Sequence, residues 1–265
     1  MAFIDAPGGR LHYRVDESSR AAAPTLVFSN SLGTTLEMWD RQMASFTPHF
    51  RVVRYDTRGH GQSDTLSQNA SVAELGGDVV RLLDHLGVER AHFVGLSMGG
   101  QTGMWLGANR GERIRRLVLC NTAALIGPAS IWDERIETVK KAGVAALAPA
   151  VIARWFTQDF VDRHADAVRP IEAMLLAARE DGYIASCAAV RDADLRGELG
   201  RIEAATLVVA GSHDPATTVA QSFEIVASLR NGRLLELDAA HLSNIEASAA
   251  FNQGVVEFLL GDGHG

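Results

Sequence analysis

Three residues, well separated in the chain, have the types and the order that nucleophilic catalysis requires. Ser97 lies in "VGLSMGG", residues 94–100, a G-x-S-x-G between an apolar run and a helical pattern. A nucleophile on a sharp strand-to-helix turn needs a strained backbone, and small neighbours such as Gly95 and Gly99 let that turn pack closely. The turn presents the hydroxyl at a helix N-terminus, where N–H groups and the dipole favour developing negative charge. Serine is a poor nucleophile at neutral pH, so it needs a base, and the base needs a carboxylate to orient it. For a nucleophile on this kind of turn the chain order is Ser, then Asp or Glu, then His. "VVAGSHDPAT" supplies Asp214 just after a late apolar run, and "LELDAAHLSNIE" supplies His241 just after the next. Both fall at carboxyl ends of strand candidates, where α/β sheets gather their sites.

The plainer reading of "GLSMG" is a glycine-rich turn with an unremarkable serine, and the strand–turn–helix context argues against it. Other histidines compete for the role of base. His12 and His92 lie within strand candidates, His85 in a helix and His264 in the C-terminal tail. His213 adjoins Asp214, and adjacent side chains diverge. His60, in the loop "DTRGHGQSD", is the stronger rival. Asp238 and Asp56 are rival carboxylates, although Asp56 precedes the nucleophile and reads as a turn-former. Acyl transfer also develops charge on a carbonyl oxygen, which two preorganised N–H donors would stabilise. One is expected from the residue after the nucleophile, Met98. The other is expected from a loop after an early strand. "LVFSNSLGTT", residues 26–35, changes abruptly there from a buried strand to small polar residues, and by position Leu32 N–H is the donor.

The elements that must position these groups alternate. Strands are predicted at 11–15, 25–29, 51–56, 92–96, 116–121, 205–210 and 233–238. The runs "TLVFS", "HFVGL", "LVLCN" and "TLVVA" are apolar throughout, as expected of strands covered on both faces. Ser71 and Glu74 have capping-box spacing at the start of a helical segment that ends at Gly87. This alternation predicts an α/β fold with a mostly parallel sheet flanked by helices. From about 124 to 199 no convincing strand occurs, only helical patterns such as "WDERIETVKKAG" and "PIEAMLLAARED". The expected organisation is a core of residues 1–123 and 200–265 interrupted by a helical cap at 124–199. Within the cap, Trp132 and Arg135 are three apart and share a helix face. Arg191 adjoins Asp192 and Asp194, which predicts an ion pair.

Composition sets the bounds. The 265 residues are 47% hydrophobic and 22% charged, ordinary for a globular protein. A formal net charge of −7 argues against nucleic acid as a partner, because phosphate binding needs a basic footprint. No signal peptide and no apolar run of membrane-spanning length is visible. Cys120 and Cys187 suit a reducing compartment and have no second cysteine at metal-ligand spacing. A cytoplasmic protein without metal or organic cofactor, with no membrane association and with a frayed "GDGHG" tail, is expected.

Several segments together resemble the α/β-hydrolase superfamily over essentially the whole chain. Within it they are similar to the 3-oxoadipate enol-lactonases of bacterial aromatic-compound catabolism. The segments are "NSLGTTLEMWD", "YDTRGHGQSD", "GLSMGGQTGMWLG", "LCNTAALIGPASIWDERI", "RWFTQDF", "AAVRDADLR", "AGSHDPAT" and "DAAHLSNIE". Many α/β hydrolases have His-Gly where this chain has Asn30-Ser31, and the Asn-Ser form is associated with the lactonases. The resemblance implies a small anionic lactone as substrate, opened by Ser97, His241 and Asp214 through an acyl-enzyme, with Leu32 and Met98 holding the oxyanion. It also implies a cation for the substrate's free carboxylate. Arg135 is the candidate, with a surface ion pair as its plainer explanation. Trp132 would wall the ring, and Trp155 would either line the pocket or pack in the cap. Rival readings are another small-ester hydrolase of the same scaffold (carboxylesterase, perhydrolase or carbon–carbon bond hydrolase) and, more distantly, a hydrolase-like ligand receptor. Dehalogenase and epoxide-hydrolase chemistry is disfavoured, since it uses a carboxylate where this chain has Ser97.

Overall fold

The computed structural model describes residues 2–65 and 70–261; most of the glycine-rich tail, with His264, lies outside them. Eight strands form one sheet: β1 (Ala2–Ala6), β2 (Gly9–Asp16), β3 (Thr25–Ser29), β4 (Arg51–Tyr55), β5 (Ala91–Leu96), β6 (Ile114–Cys120), β7 (Ala205–Gly211) and β8 (Gly232–Leu237). Their spatial order is β1-β2-β4-β3-β5-β6-β7-β8. β1 and β2 pair antiparallel, as do β2 and β4, and from β4 to β8 every pairing is parallel. The runs read as continuously apolar are buried throughout, and in β3 and β5 the whole strand is. Side chains of neighbouring residues point to opposite faces. Phe28, Val94, Val118 and Val209 therefore pack into one hydrophobic layer, and Val27, Phe93, Leu117 and Val208 into the other.

Helices cover both faces: α1 (Asp40–Phe46), α2 (Val72–His85), α3 (Met98–Asn109), and then a run with no strand, α4 (Ala129–Ala142), α5 (Ala148–Trp155), α6 (Gln158–Arg163), α7 (Ala165–Leu176) and α8 (Glu180–Asp192). After β7 come α9 (Val219–Ser228), and after β8 α10 (Ser243–Glu246) and α11 (Ser248–Leu260). The capping box expected at Ser71 and Glu74 is formed at the start of α2. No described helix is long and apolar enough to cross a membrane.

Two elements differ from the sequence expectation. β1 was not anticipated, because only Ile4 of its five residues is buried and an edge strand lacks the apolar run of a central one. The helical segment "PIEAMLLAARED" is split between two helices. α7 begins at Ala165, carries Pro170 internally and stops at Leu176, and α8 starts separately at Glu180.

The topology places the loops of interest together. β3 lies between β4 and β5, so the order of the strands reverses there, which is where open α/β sheets form their crevice. Ser29 at the end of β3 pairs with Gly95 in β5, and Leu96 pairs with Cys120 at the end of β6. Cys120 in turn pairs with Val209, and Gly211 with Leu237. The turns after β3, β5, β6, β7 and β8 thus leave the sheet along one edge. The α4–α8 excursion is tied over that edge. Arg179 Nη2 donates to Ser63 O (2.7 Å) and Thr65 Oγ1 (2.9 Å), Leu195 N to Ala124 O (2.8 Å), and Leu242 N to Trp155 O (2.9 Å). Gly182 of α8 meets Gly59 backbone to backbone: a Cβ built on Gly182 would lie 2.1 Å from Gly59 O.

Candidate active site

Ser97 immediately precedes α3 with φ 59° and ψ −114°, a left-handed conformation that costs a non-glycine residue roughly 1–3 kcal/mol. The surroundings hold it there. Ser97 N donates to Cys120 O (2.9 Å), Gly99 N to Asn30 O (3.1 Å), and Thr122 Oγ1 to Ser97 O (2.8 Å). The flanking glycines are a steric requirement: a Cβ at Gly95 would sit 2.0 Å from Gly99 O, and one at Gly99 2.3 Å from Ser29 O.

Asp214 and His241 are both buried and meet at 2.7 Å, Oδ2 to Nδ1. The same carboxylate accepts from Thr217 Oγ1 (2.7 Å), Asn121 Nδ2 (3.1 Å), Ala216 N (2.8 Å) and Thr217 N (3.0 Å). Burial alone would raise its pKa. The facing imidazole and the donors from Thr217 outweigh burial and hold it down at about 2. An ionised Asp214 can only accept, so Nδ1 of His241 carries the proton and Nε2 is left as the basic nitrogen. Ser97 and His241 line the same cavity, of about 140 Å³, although no hydrogen bond joins their side chains among the described residues.

The rival residues are held elsewhere. His60 is buried and both its ring nitrogens contact backbone, Nε2 with Gly33 N (2.9 Å) and Nδ1 with Arg58 O (3.2 Å). Asp238 pairs with His213 at the surface (2.8 Å), and Asp56 pairs with His12 (2.8 Å). Arg191 bonds Asp192 as expected, but its second partner is Asp133 of α4 (2.8 Å). Asp194, expected in that pair, is taken by Arg196 (2.6 Å).

The loop after β3 is tightly organised. Asn30 Nδ2 donates to Tyr55 O and Trp39 Nε1 donates to Asn30 Oδ1, both at 2.9 Å. Ser31 N contacts Met38 Sδ (3.4 Å) and Thr34 N donates to Ser31 O (3.2 Å). Leu32 N and Met98 N, the two expected oxyanion donors, have no acceptor among the described residues. Leu32 lines the cavity.

Trp132, Arg135 and Trp155 all reach the cavity from the helical excursion. Trp132 Nε1 donates to Ile126 O (2.5 Å), which fixes the indole, and the Arg135 guanidinium lies 4.7 Å above its ring. Trp155 is buried as well as cavity-lining, so its two expected roles are combined. Arg154 also lines the cavity. Burial and the nearby Arg135 lower its pKa, which marks an arginine under electrostatic pressure. Neither Arg135 nor Arg154 has a carboxylate within 4 Å among the described residues. A larger open hollow of about 1160 Å³ lies at the far edge of the sheet. Its lining includes Arg90, Arg115, Arg116, Arg201, Arg230 and Arg233, with Glu112 and Glu203 but no serine, cysteine or histidine, so it lacks the residue types of a serine-type hydrolytic site.

Sequence reasoning missed Asn121 and Arg154. Asn121 has φ 43°; besides bonding Asp214, it donates to Ala240 O (3.1 Å) and accepts from Ser243 Oγ (2.6 Å). It therefore ties the turns after β6, β7 and β8 together. The only signal available for it was a lone Asn at the end of "LVLCN". For Arg154 the signal was its position beside Trp155.

Sheet order, the strained serine turn and the buried Asp–His pair define an α/β hydrolase, and the α/β-hydrolase fold family matches residues 24–143. Within that class the chain belongs to the 3-oxoadipate enol-lactonase family, being 42% identical over 236 residues to 3-oxoadipate enol-lactonase 2 of Acinetobacter baylyi, a match covering 89% of this chain and 88% of that one. The enol-lactonase of Burkholderia xenovorans LB400 superposes with a TM-score of 0.95 at 44% identity, over 97% of this chain and 99% of that one. A hydrolase from Pseudomonas aeruginosa PA01 superposes with 0.94 at 46% identity, over 98% of each.

Proposed function

We propose that this enzyme hydrolyses 3-oxoadipate enol-lactone to 3-oxoadipate in the cytoplasm, with residues 124–199 acting as the cap over the site. What carries this reading is one cavity that joins Ser97 and His241 to two arginines, Arg135 and Arg154, without carboxylate partners among the described residues. A substrate that is both an ester and an anion answers both halves.

Ser97 Oγ attacks the ring carbonyl carbon while His241 Nε2 takes its proton, and Asp214 stabilises the imidazolium that forms. The N–H groups of Leu32 and Met98 hold the oxyanion. The tetrahedral intermediate collapses with cleavage of the ring C–O bond, and the leaving oxygen departs as an enolate or, taking the proton from His241, as an enol. It stays tethered to the acyl group and tautomerises to the ketone. Water then gives a proton to His241 and attacks the acyl carbon, and Ser97 leaves with that proton to free the acid. Arg135 pairs the substrate's free carboxylate, with Trp132 and Trp155 against the ring; bidentate guanidinium–carboxylate pairing suits that contact.

The test is the loss of enol-lactone absorbance with purified protein. Rapid opening by the wild type is expected, and Ser97→Ala should lower kcat by a factor on the order of 10⁵ or more. Brisk cleavage of simple aryl esters without lactone opening would overturn the substrate assignment and leave a general carboxylesterase.

A further inference from the structure

We propose that His60 is the positioning residue of the oxyanion loop: its imidazole grips Gly33 N–H and so fixes the peptide planes that aim Leu32 N–H at the substrate carbonyl. The inference rests on the reading of residues 30–35 as that loop.

The heavy atoms alone determine what His60 does. Gly33 N can only donate, so Nε2, 2.9 Å away, presents a lone pair. Arg58 O can only accept, so Nδ1, 3.2 Å away, carries the hydrogen. One tautomer satisfies both contacts, and an imidazolium would set a second N–H against Gly33 N–H. Burial lowers the pKa of His60 and favours the neutral ring. With both nitrogens occupied and the ring buried, the side chain has no atom left for the substrate.

The consequence for Leu32 follows from peptide planarity. The Ser31 carbonyl accepts from Thr34 N (3.2 Å) and Thr34 Oγ1 (2.8 Å), so the N–H of the same trans peptide, that of Leu32, points the opposite way. The following peptide carries Gly33 N–H, and His60 holds it. Asn30 fixes the approach to the loop through Tyr55 O and Trp39 Nε1. Leu32 N–H thus lies between two clamped points and is itself without an acceptor among the described residues. Gly33 has φ +84°, and a Cβ there would lie 2.8 Å from Leu175 Cδ1. No side chain at position 33 can therefore substitute for the imidazole by packing.

The test combines two readouts on His60→Ala, His60→Gln and His60→Asn. A glutamine carbonyl can accept from Gly33 while its amide donates to Arg58, whereas asparagine is one methylene shorter. Losing an oxyanion donor outright typically costs about a hundred- to a thousandfold in rate. Misaiming one should lower kcat about ten- to a hundredfold in the Ala and Asn variants, with KM within about twofold, and Gln should recover most of the loss. Hydrogen exchange at Gly33 N–H should quicken at least about tenfold in Ala and Asn and far less in Gln. Unchanged exchange in Ala or Asn would show that His60 holds nothing and sink the proposal alone. Faster exchange with unchanged kcat would instead remove the oxyanion role of the loop, and the proposal with it. If the Ala variant does not fold, Gln and Asn decide: equal kcat and equal exchange in the two would overturn the assignment.

Discussion

Beside β2 and β4, Asp56 Oδ2 lies 2.8 Å from His12 Nδ1; beyond β7 and β8, at the other end of the strand order, Asp214 Oδ2 lies 2.7 Å from His241 Nδ1. Both pairs are buried, and each has a serine in its neighbourhood. At the first, Ser63 Oγ donates to Asp56 O (2.6 Å) and accepts from His12 N (2.9 Å), while the Asp56 carboxylate also takes Leu36 N (2.9 Å) and Gln62 N (3.0 Å). Nearly every polar atom there closes the backbone of the 56–63 turn onto β2. At the second, the serine stands on a strained turn, its hydroxyl has no partner among the described residues, and the histidine's free nitrogen belongs to a cavity lining. An Asp–His contact of the right length is thus common to a structural lock and to the pair proposed as catalytic. An uncommitted nucleophile beside an open volume separates them.

The comparison can be broken most decisively by matched substitutions in the two aspartates. Asp214→Asn should lower kcat by about 10⁴, because an amide can stabilise the wrong imidazole tautomer, while the fold persists. Asp56→Asn should leave kcat of the folded enzyme within a few fold. It should destabilise the protein by about 1–3 kcal/mol, through donors left unsatisfied in the 56–63 turn. Chemical denaturation and steady-state kinetics on both variants measure the two effects, and comparable kcat losses would erase the distinction.

A smaller effect sharpens what the cavity adds to the second pair. Arg135→Gln should raise KM for the anionic lactone about ten- to a hundredfold with a lesser change in kcat, and Arg154→Gln should raise it about three- to tenfold. A neutral aryl ester should respond to neither. An unchanged lactone KM in both variants would move the carboxylate contact elsewhere.

A further effect is on stability against pH. The pKa of Asp214 is depressed to about 2 from an ordinary 3.8. A depressed carboxylate contributes stability that is present above its unfolded pKa and is lost as pH falls through the folded value. The contribution is about 2 kcal/mol at 1.36 kcal/mol per unit, with the loss running from about pH 5 to below pH 2. Unfolding free energy measured over that range should fall less steeply in Asp214→Asn than in the wild type.

How much of this was legible in the sequence depended on the range of the interaction. The central strands showed themselves because burial on both faces leaves continuous apolar runs, as in "TLVFS" and "HFVGL". The serine turn showed itself because its glycines are local steric necessities. Asp214 and His241 could be nominated from chain order and strand ends, and the geometry brings those two together while it gives Asp238 to His213 and Asp56 to His12. His60 looked like a rival base because its partner, Gly33, is 27 residues away and nothing local indicates that its nitrogens are occupied. Asn121 joins groups more than 90 residues distant, and no periodicity carries such information. Arg191 was assigned a neighbour in sequence, Asp194, when a residue 58 positions away lay closer in space.

The contact between Gly59 and Gly182 limits how this enzyme can change. Most of the helical excursion meets the sheet through side chains, which can be exchanged for others of similar volume. At Gly182 the excursion meets the core as bare backbone, and the next residue, Tyr183, packs on Gly33, where a Cβ would lie 3.2 Å from Tyr183 Cε2. A methyl group at position 182 would push α8 away from the loop that carries Leu32 and Gly33. Mutational drift across the helical excursion is therefore expected to be uneven. Positions such as Ile131 at the cavity mouth can vary to admit new substrates, whereas position 182, which lines no part of the cavity, is closed to every side chain.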